Sequence, residues 1–125
     1  MHMEAVISYV TRYEAHFRAA MEERLKLATS EAIKTRRKKL AQDEKRITEL
    51  DQLYIKVYED NAAGRLSDER FTMMSRNYED EQAQLKAEVQ TLQNEIEVQE
   101  RQVENLEQFI QRVHKYAALD GLTAY

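Results

Sequence analysis

A strict seven-residue repeat in the C-terminal half of the chain constrains its fold more than any other feature. The a positions of this repeat are Gln82, Val89, Ile96, Val103, Ile110 and Ala117. The d positions are Tyr78, Leu85, Leu92, Gln99, Leu106 and Val113. A sustained period of 3.5 residues is the signature of a left-handed coiled coil, and an ordinary amphipathic helix drifts from it by about 20° per heptad. The pattern therefore predicts a coiled-coil helix over about residues 78–117.

The composition excludes most other architectures. The 125 residues contain no Pro, no Cys and only two Gly, so few residues suit tight turns. A β-sandwich, a barrel or a dinucleotide-binding fold needs many more chain reversals than this. The absence of Cys also excludes a disulfide framework, a thiolate zinc site and a cysteine nucleophile. We therefore expect a single all-α domain that holds no cofactor and no metal.

A second apolar seam runs through the first half of the chain. Its a positions are Ile33, Leu40, Ile47 and Tyr54, and its d positions are Arg36, Asp43, Leu50 and Val57. Further upstream, apolar residues recur at three or four positions, which is typical of an amphipathic helix: Val6, Val10, Tyr13, Phe17, Met21 and Leu25. Thr29 or Ser30 suits the N-cap of a new helix. Residues 4–28 therefore form an N-terminal helix that either continues the first arm or folds back.

Residues 61–67 are predicted to form a turn between the two seams. Gly64 is the only interior glycine and suits the position after a helix that needs φ > 0. Ser67 suits the N-cap of the next helix. We predict a long antiparallel coiled-coil helical hairpin over residues 30–117 with an additional N-terminal helix and a C-terminal tail over 118–125. Self-pairing of two chains would use the same heptads, and only the turn favours the hairpin.

The charge distribution also favours antiparallel pairing. Residues 33–50 contain seven basic and three acidic residues, and residues 78–95 contain one basic and five acidic residues. A turn centred near Gly64 would place these windows of charge +4 and −4 against each other, with residue i facing about residue 128 − i. Exposed ion pairs contribute only about 0–1 kcal/mol each, so charge selects the orientation while apolar burial supplies stability.

No motif predicts catalysis, metal binding or membrane insertion. His16 and His114 have no histidine three or four residues away, so neither belongs to a helical zinc pair. Phosphate-binding loops, nucleophile elbows and zinc-protease motifs are absent from the sequence. No apolar run reaches 18 residues, and residues 1–3 resemble an expression remnant rather than a signal peptide. We expect a cytoplasmic protein that is not an enzyme.

Two groups of residues are candidates for interaction. The first is a basic run: Arg36, Arg37, Lys38 and Lys39. These residues could contact DNA phosphates. The acidic window at 78–95 favours the alternative, in which the run is a solvated helix face paired with that window. The second is the tip of the predicted hairpin, which could contact another subunit: Ala62, Ala63, Gly64, Arg65 and Leu66. Aromatic residues beside the turn are expected to close that end of the hairpin: Tyr54, Tyr58, Phe71 and Tyr78.

The amino-acid sequence around the turn resembles that of a known family. Residues 47–54 read ITELDQLY and residues 57–71 read VYEDNAAGRLSDERF. These segments resemble the hairpin segment of large serine recombinases, the site-specific recombinases of the resolvase/invertase superfamily found in phages and conjugative transposons. YEDEQ at 78–82, FIQRVHKY at 109–116 and DGLT at 120–123 extend the resemblance. It covers about residues 15–123.

The resemblance implies a non-catalytic part of a larger enzyme. In such recombinases a separate domain carries the serine nucleophile, a zinc ribbon binds the attachment site, and a coiled coil mediates contacts between subunits. This chain has no Cys for a zinc ribbon and no catalytic-domain sequence. The implied partners are other subunits of the same recombinase, with a weak homodimer of the fragment, while DNA is bound through other domains. The alternatives are a DNA-contacting arm that uses Arg36 to Lys39 and a structural adaptor unrelated to recombination.

Overall fold

The structure is a computed structural model that describes the backbone of residues 2–119 and the side chains of residues 11–119. These residues form two helices, α1 (His2–Ala62) and α2 (Asp68–Leu119), and no strand. The all-α prediction is therefore confirmed for the described part of the chain. Of the predicted tail, Ala118 and Leu119 end α2, and residues 120–125 lie outside the described residues.

Helix α1 is one continuous element of 61 residues. Residues 4–28 form its first part, so no separate N-terminal helix is seen among the described residues. Neither Thr29 nor Ser30 begins a new helix. The segment around them contains no Gly or Pro and is rich in good helix formers, so a candidate cap alone does not interrupt it. Of the two sequence-based alternatives, the structure has the continuous one.

The chain divides into two compact units. The turn unit comprises residues 35–96, and the described part of the terminal unit comprises residues 2–34 together with 97–119. In the turn unit, α1 and α2 are antiparallel, because later residues of α1 pair with earlier residues of α2. The cross-helix ion pairs are Arg36–Glu95, Lys39–Glu88 and Arg46–Glu81. The residue numbers of these pairs lie close to the predicted register, so the helical hairpin is confirmed in this unit.

The core of the turn unit follows the predicted apolar seams. Leu50 and Val57 of α1 are buried, as are Leu92 and Ile96 of α2. All four occupy a or d positions of the heptads. Burying a leucine or isoleucine side chain contributes about 1.5–3 kcal/mol, which identifies these residues as a main source of stability.

On α1, the residues seen to be buried in the terminal unit are smaller than Leu50 and Val57 of the turn unit. Ala19 and Thr29 of α1 are buried there, together with Ile110 and Ala117 of α2. Antiparallel contacts include the guanidinium of Arg18, which lies 5.5 Å from the centroid of the Phe109 ring. The large apolar residues predicted to mark the amphipathic face of this part of α1 are instead exposed: Tyr13, Phe17, Met21 and Leu25.

Within residues 2–119, no helix combines the length and the apolar character that crossing a membrane requires.

Candidate protein-interaction site at the helix turn

Helix α1 ends in a Schellman motif at the predicted glycine. Gly64 has a φ of 77°. The amide of Arg65 donates to the carbonyl of Asp60 at 2.9 Å, and the amide of Gly64 donates to the carbonyl of Asn61 at 3.0 Å. These two bonds satisfy carbonyls that the end of a helix otherwise leaves unpaired. A Cβ at Gly64 would meet no atom within 4 Å, so only its positive φ requires glycine.

An ion pair reinforces this motif. Schellman motifs often have an apolar contact between the residue after the glycine and the third residue from the helix end. Here those positions are Arg65 and Asp60, and the guanidinium Nη2 lies 3.2 Å from Oδ1 of Asp60. The backbone bond and the side-chain pair therefore join the same two residues. Sequence analysis identified Arg65 as part of the tip but missed its partner.

Helix α2 begins with the predicted cap. The amide of Arg70 donates to Oγ of Ser67 at 3.2 Å, which satisfies one of the free amides of the first turn. Asn61 links this start to the end of α1. Its Nδ2 donates to the carbonyl of Leu66 at 3.0 Å and to Oδ1 of Asp68 at 2.7 Å. The five-residue connection is thus held at both helix ends and across them.

The aromatic residues beside the turn separate into two places. Phe71 of α2 lies between Tyr54 and Tyr58 of α1, with ring centroids 6.4 Å and 6.3 Å apart. Tilted and edge-to-face arrangements at these distances are favourable for aromatic pairs. Tyr78 is not part of this cluster: it lines a groove of about 210 Å³ with Leu50 and neighbouring residues. Three of the four predicted aromatics therefore come together.

The tip presents small and charged side chains to solvent. Ala62, Ala63, Gly64 and Arg65 are exposed, whereas Leu66 is half-buried. Tyr58, one helical turn before the tip, is also exposed on one side of the aromatic cluster. The predicted tip residues are therefore adjacent on a surface whose backbone is fixed by hydrogen bonds.

A bidentate ion pair holds the helices together behind the turn. Nε of Arg46 donates to Oε2 of Glu81 at 2.6 Å, and Nη2 donates to Oε1 at 3.1 Å. These hydrogen bonds hold the pKa of the Glu81 carboxyl below its ordinary value, although partial burial opposes the shift. The same bonds raise the pKa of the Arg46 guanidinium. Paired planar groups of this kind specify geometry as well as charge.

Two polar residues lie on the apolar seam of the same unit, and sequence analysis assigned a role to neither: Gln82 bonds across to α1, and Asp43 pairs within α1. Gln82 donates from Nε2 to the carbonyl of Ile47 at 3.2 Å and to Oδ1 of Asp51 at 2.7 Å. Asp43 is 2% exposed, and its Oδ1 lies 3.1 Å from Nζ of Lys39. The signal for both was a polar residue on the apolar seam, which in coiled coils specifies register at some cost in stability.

The predicted DNA-contacting run is partly occupied by structural pairs. Arg36 Nε lies 2.8 Å from a carboxylate oxygen of Glu95. Lys39 lies between Asp43 and Glu88, and its hydrogen bond to Asp43 is the main reason that the pKa of its ammonium group is raised. Arg37 and Lys38 are exposed. The run therefore offers less unpaired positive charge to a phosphate backbone than its sequence suggests, and the DNA-contact prediction stays a prediction.

No cluster of three or more metal-ligating side chains is found in the part of the chain that the structure describes. Comparison of the chain with protein-family models, curated proteins and solved structures finds no match in any of the three.

Proposed function

We propose that this chain is a non-catalytic coiled-coil segment of a large serine recombinase, which mediates contacts between subunits during site-specific DNA recombination and integration. In this proposal the two helices form the predicted antiparallel coiled coil, and the tip from Ala62 to Leu66 contacts the equivalent tip of another subunit. The segment itself cuts and joins no DNA. Catalysis and attachment-site binding belong to other domains of the parent protein, which acts in the cytoplasm.

The turn carries this proposal. Its sequence, YEDNAAGRLSDERF, is the most distinctive part of the resemblance to the recombinase family. The structure around that sequence is specific in detail. Asn61 and Ser67 each make a side-chain hydrogen bond, and Gly64 has the positive φ that glycine favours. A turn that only reverses the chain does not need all three of these residues. In this turn Ala62 and Ala63 are also exposed next to each other.

A rigid tip suits a transient contact between subunits. Association costs free energy for each side chain or loop that must become ordered, so a surface held in place beforehand loses less on binding. The hydrogen bonds around Asp60 and Asn61 supply this preorganisation. A twofold contact between identical tips is self-complementary, which fits a weak and reversible association.

The proposal is tested by recombination with the full-length parent protein. We expect Ala63→Glu to reduce synapsis of attachment sites at least about tenfold, because it places a charge at the centre of the contact without removing any turn hydrogen bond. The matched control is Ala87→Glu, an exposed alanine of α2 in the same unit. Synapsis that is unchanged by Ala63→Glu would contradict the proposal, as would a coding frame that contains no resolvase-like catalytic domain.

A further inference from the structure

The groove beside Tyr78 in the turn unit combines aromatic rings with carboxylates. Its volume is about 210 Å³, and both helices contribute to its lining: Leu50, Asp51, Tyr54, Tyr78, Glu79 and Gln82. None of these lining residues is basic. Leu50 is buried and Tyr78 is half-buried, whereas Asp51 and Glu79 are exposed. The groove therefore offers apolar and aromatic surface together with two negative charges on its solvent side.

The charges at this groove differ from those on the other flank of the apolar seam. Asp51 and Glu79 each directly follow a d residue, so both occupy e positions of the heptad. At the g positions of the same unit, basic residues of α1 pair with acidic residues of α2: Lys39–Glu88 and Arg46–Glu81. Opposite charges at e and g positions favour helix pairing. Two carboxylates on one groove oppose it, and a positive charge bound between them would remove that repulsion.

Both carboxylates have oxygens available to a ligand. Gln82 donates from Nε2 to Oδ1 of Asp51 at 2.7 Å and to the carbonyl of Ile47 at 3.2 Å, so one oxygen of Asp51 is held in place. Within residues 11–119, no hydrogen bond or ion pair occupies Oδ2 of Asp51 or the carboxylate of Glu79. A cationic ligand would therefore displace no existing partner from either group.

We propose that this groove binds an arginine side chain of a partner polypeptide. A guanidinium is planar and has five N–H donors in a fixed fork, so it can bond to two carboxylates and still lie against an aromatic ring. In this arrangement it donates to Asp51 and Glu79, while its methylene groups pack on Leu50 and on the tyrosine rings. The groove is smaller than the roughly 300–1,000 Å³ of ordinary small-molecule pockets, which suits a single side chain.

The lining favours arginine over lysine. An ammonium group is a compact and strongly hydrated charge, whereas a guanidinium is weakly hydrated and stacks on aromatic faces. Tyr54 and Tyr78 supply two such rings beside the carboxylates. Arginine is also one of the three residue types that most often dominate the binding energy of protein interfaces.

NMR titration of the chain with N-acetyl-arginine amide tests the site. We expect shifts of the amide signals of Tyr78 and Glu79 with a dissociation constant of about 10 mM, since exposed ion pairs and one ring contact are each weak. The citrulline derivative has the same shape without the charge, and we expect it to bind at least about tenfold more weakly. The lysine derivative should bind several-fold more weakly. Equal binding of the arginine and citrulline derivatives would overturn the site, and equal binding of the lysine derivative would overturn the preference for a guanidinium.

Substitutions locate the binding on the chain. Glu79→Gln is expected to weaken binding of the arginine derivative about fivefold. Asp80→Asn is the matched control, because it makes the same change of charge at the next residue, which does not line the groove. Tyr78→Leu removes one ring while leucine suits a d position, so the chain should fold and bind several-fold more weakly. Equal effects of Glu79→Gln and Asp80→Asn would show attraction to an acidic helix in general and overturn the site.

A guanidinium supplied by the chain itself gives an independent measurement. Glu79→Arg replaces one of the two carboxylates by a cation beside Asp51, so we expect a higher melting temperature than that of the unsubstituted chain and no binding of the arginine derivative. Asp80→Arg is the control for the change in net charge and should leave binding largely intact. A lower melting temperature in Glu79→Arg, or unchanged binding, would overturn the proposal.

This inference does not depend on the proposed function, and the two fail separately. Ala63 lies at the turn and does not line the groove, so Ala63→Glu should leave binding of the arginine derivative unchanged. Reduced synapsis in Ala63→Glu, together with no binding of the arginine derivative, would overturn only the groove. Binding at the groove with synapsis unchanged in Ala63→Glu would overturn only the proposed contact through the tip.

Discussion

In the turn unit the buried residues of α1 include Leu50 and Val57, whereas among the side chains that the structure describes in the terminal unit they are Ala19 and Thr29. Thr29, Leu50 and Val57 occupy the same d position of the heptad, since they differ by multiples of seven. In the terminal unit this position buries the polar side chain of Thr29, whereas in the turn unit it buries Leu50 and Val57 near the turn and Asp43 further from it. A residue at this position of the seam can be buried in either unit. The stability that its burial contributes depends on which side chain it carries.

The large apolar residues of the terminal unit of α1 lie on a different face. Tyr13 and Phe17 are exposed, although they are larger than the residues that pack against α2. The residues of this part of α1 that are buried, Ala19 and Thr29, occupy a and d positions of the heptad, and Tyr13 and Phe17 do not. The comparison indicates that apolar packing between the helices stabilises the turn unit more than the terminal unit. The following substitutions test that difference.

The same leucine substitution is expected to have very different effects in the two units. Leu50→Ala removes a side chain that is 1% exposed and should reduce the free energy of unfolding by about 2–5 kcal/mol. Leu25→Ala removes a leucine that is 54% exposed and should cost less than about 0.5 kcal/mol. Urea unfolding followed by circular dichroism at low chain concentration measures both. Similar losses for the two variants would contradict the comparison.

An apolar residue introduced on the seam of the terminal unit should reduce the difference between the units. Thr29 is buried and lines a groove of about 350 Å³ together with Leu25 and Leu106. We therefore expect Thr29→Leu to fill part of this groove and to raise the free energy of unfolding by about 0.5–2 kcal/mol. Thr48→Leu is the matched control, because Thr48 is an exposed threonine on the same helix. It corrects for the better helix propensity of leucine. A loss of stability in Thr29→Leu would show that the site cannot accept the larger side chain.

The Arg46–Glu81 pair should make the free energy of unfolding depend on pH. We expect this effect to be smaller than that of either core substitution. The pKa of Glu81 in the folded chain is lower than its ordinary value of 4.5, because Arg46 donates hydrogen bonds to the carboxylate. The pair therefore stabilises the fold fully above about pH 4.5, and this contribution is lost as the pH falls through the lower folded pKa.

Thermal unfolding between pH 7 and pH 3 measures this contribution. We expect Glu81→Gln to lower the melting temperature at pH 7 and to approach the unsubstituted chain as the pH falls. Glu79→Gln, which removes an exposed carboxylate two residues away, should change the melting temperature less at pH 7. A difference for Glu81→Gln that grows on acidification would reverse the sign and contradict the assignment.

Much of the turn could be predicted from its residue types. Gly64 and Ser67 act locally, because each satisfies a backbone requirement within a few residues of itself. The roles of Asn61 and Asp60 could not be assigned in the same way. Asn61 bonds to two residues beyond the glycine, and Asp60 pairs with Arg65, so both depend on the path that the chain takes through the turn.

The cross-helix pairs were predictable as a pattern but not one by one. Opposite charge in two windows indicated the antiparallel register, and the pairs of Arg36, Lys39 and Arg46 agree with it. Charge alone could not identify Glu81 as the bidentate partner, because three consecutive acidic residues lie at 79–81. Which of them faces α1 depends on the rotation of α2 about its own axis.

The sequence by itself determined that the chain forms two long helices joined near Gly64, because a heptad repeat, a single interior glycine and the absence of proline each act locally along the chain. Only the tertiary structure decided which side of α1 is covered. Tyr13, Phe17, Met21 and Leu25 read as a buried face in the sequence, since apolar periodicity shows that a helix has an apolar side but not what lies against it. Ala19 and Thr29 are buried in the terminal unit while those four side chains are exposed, because a helix packs against a neighbouring helix with only part of its circumference.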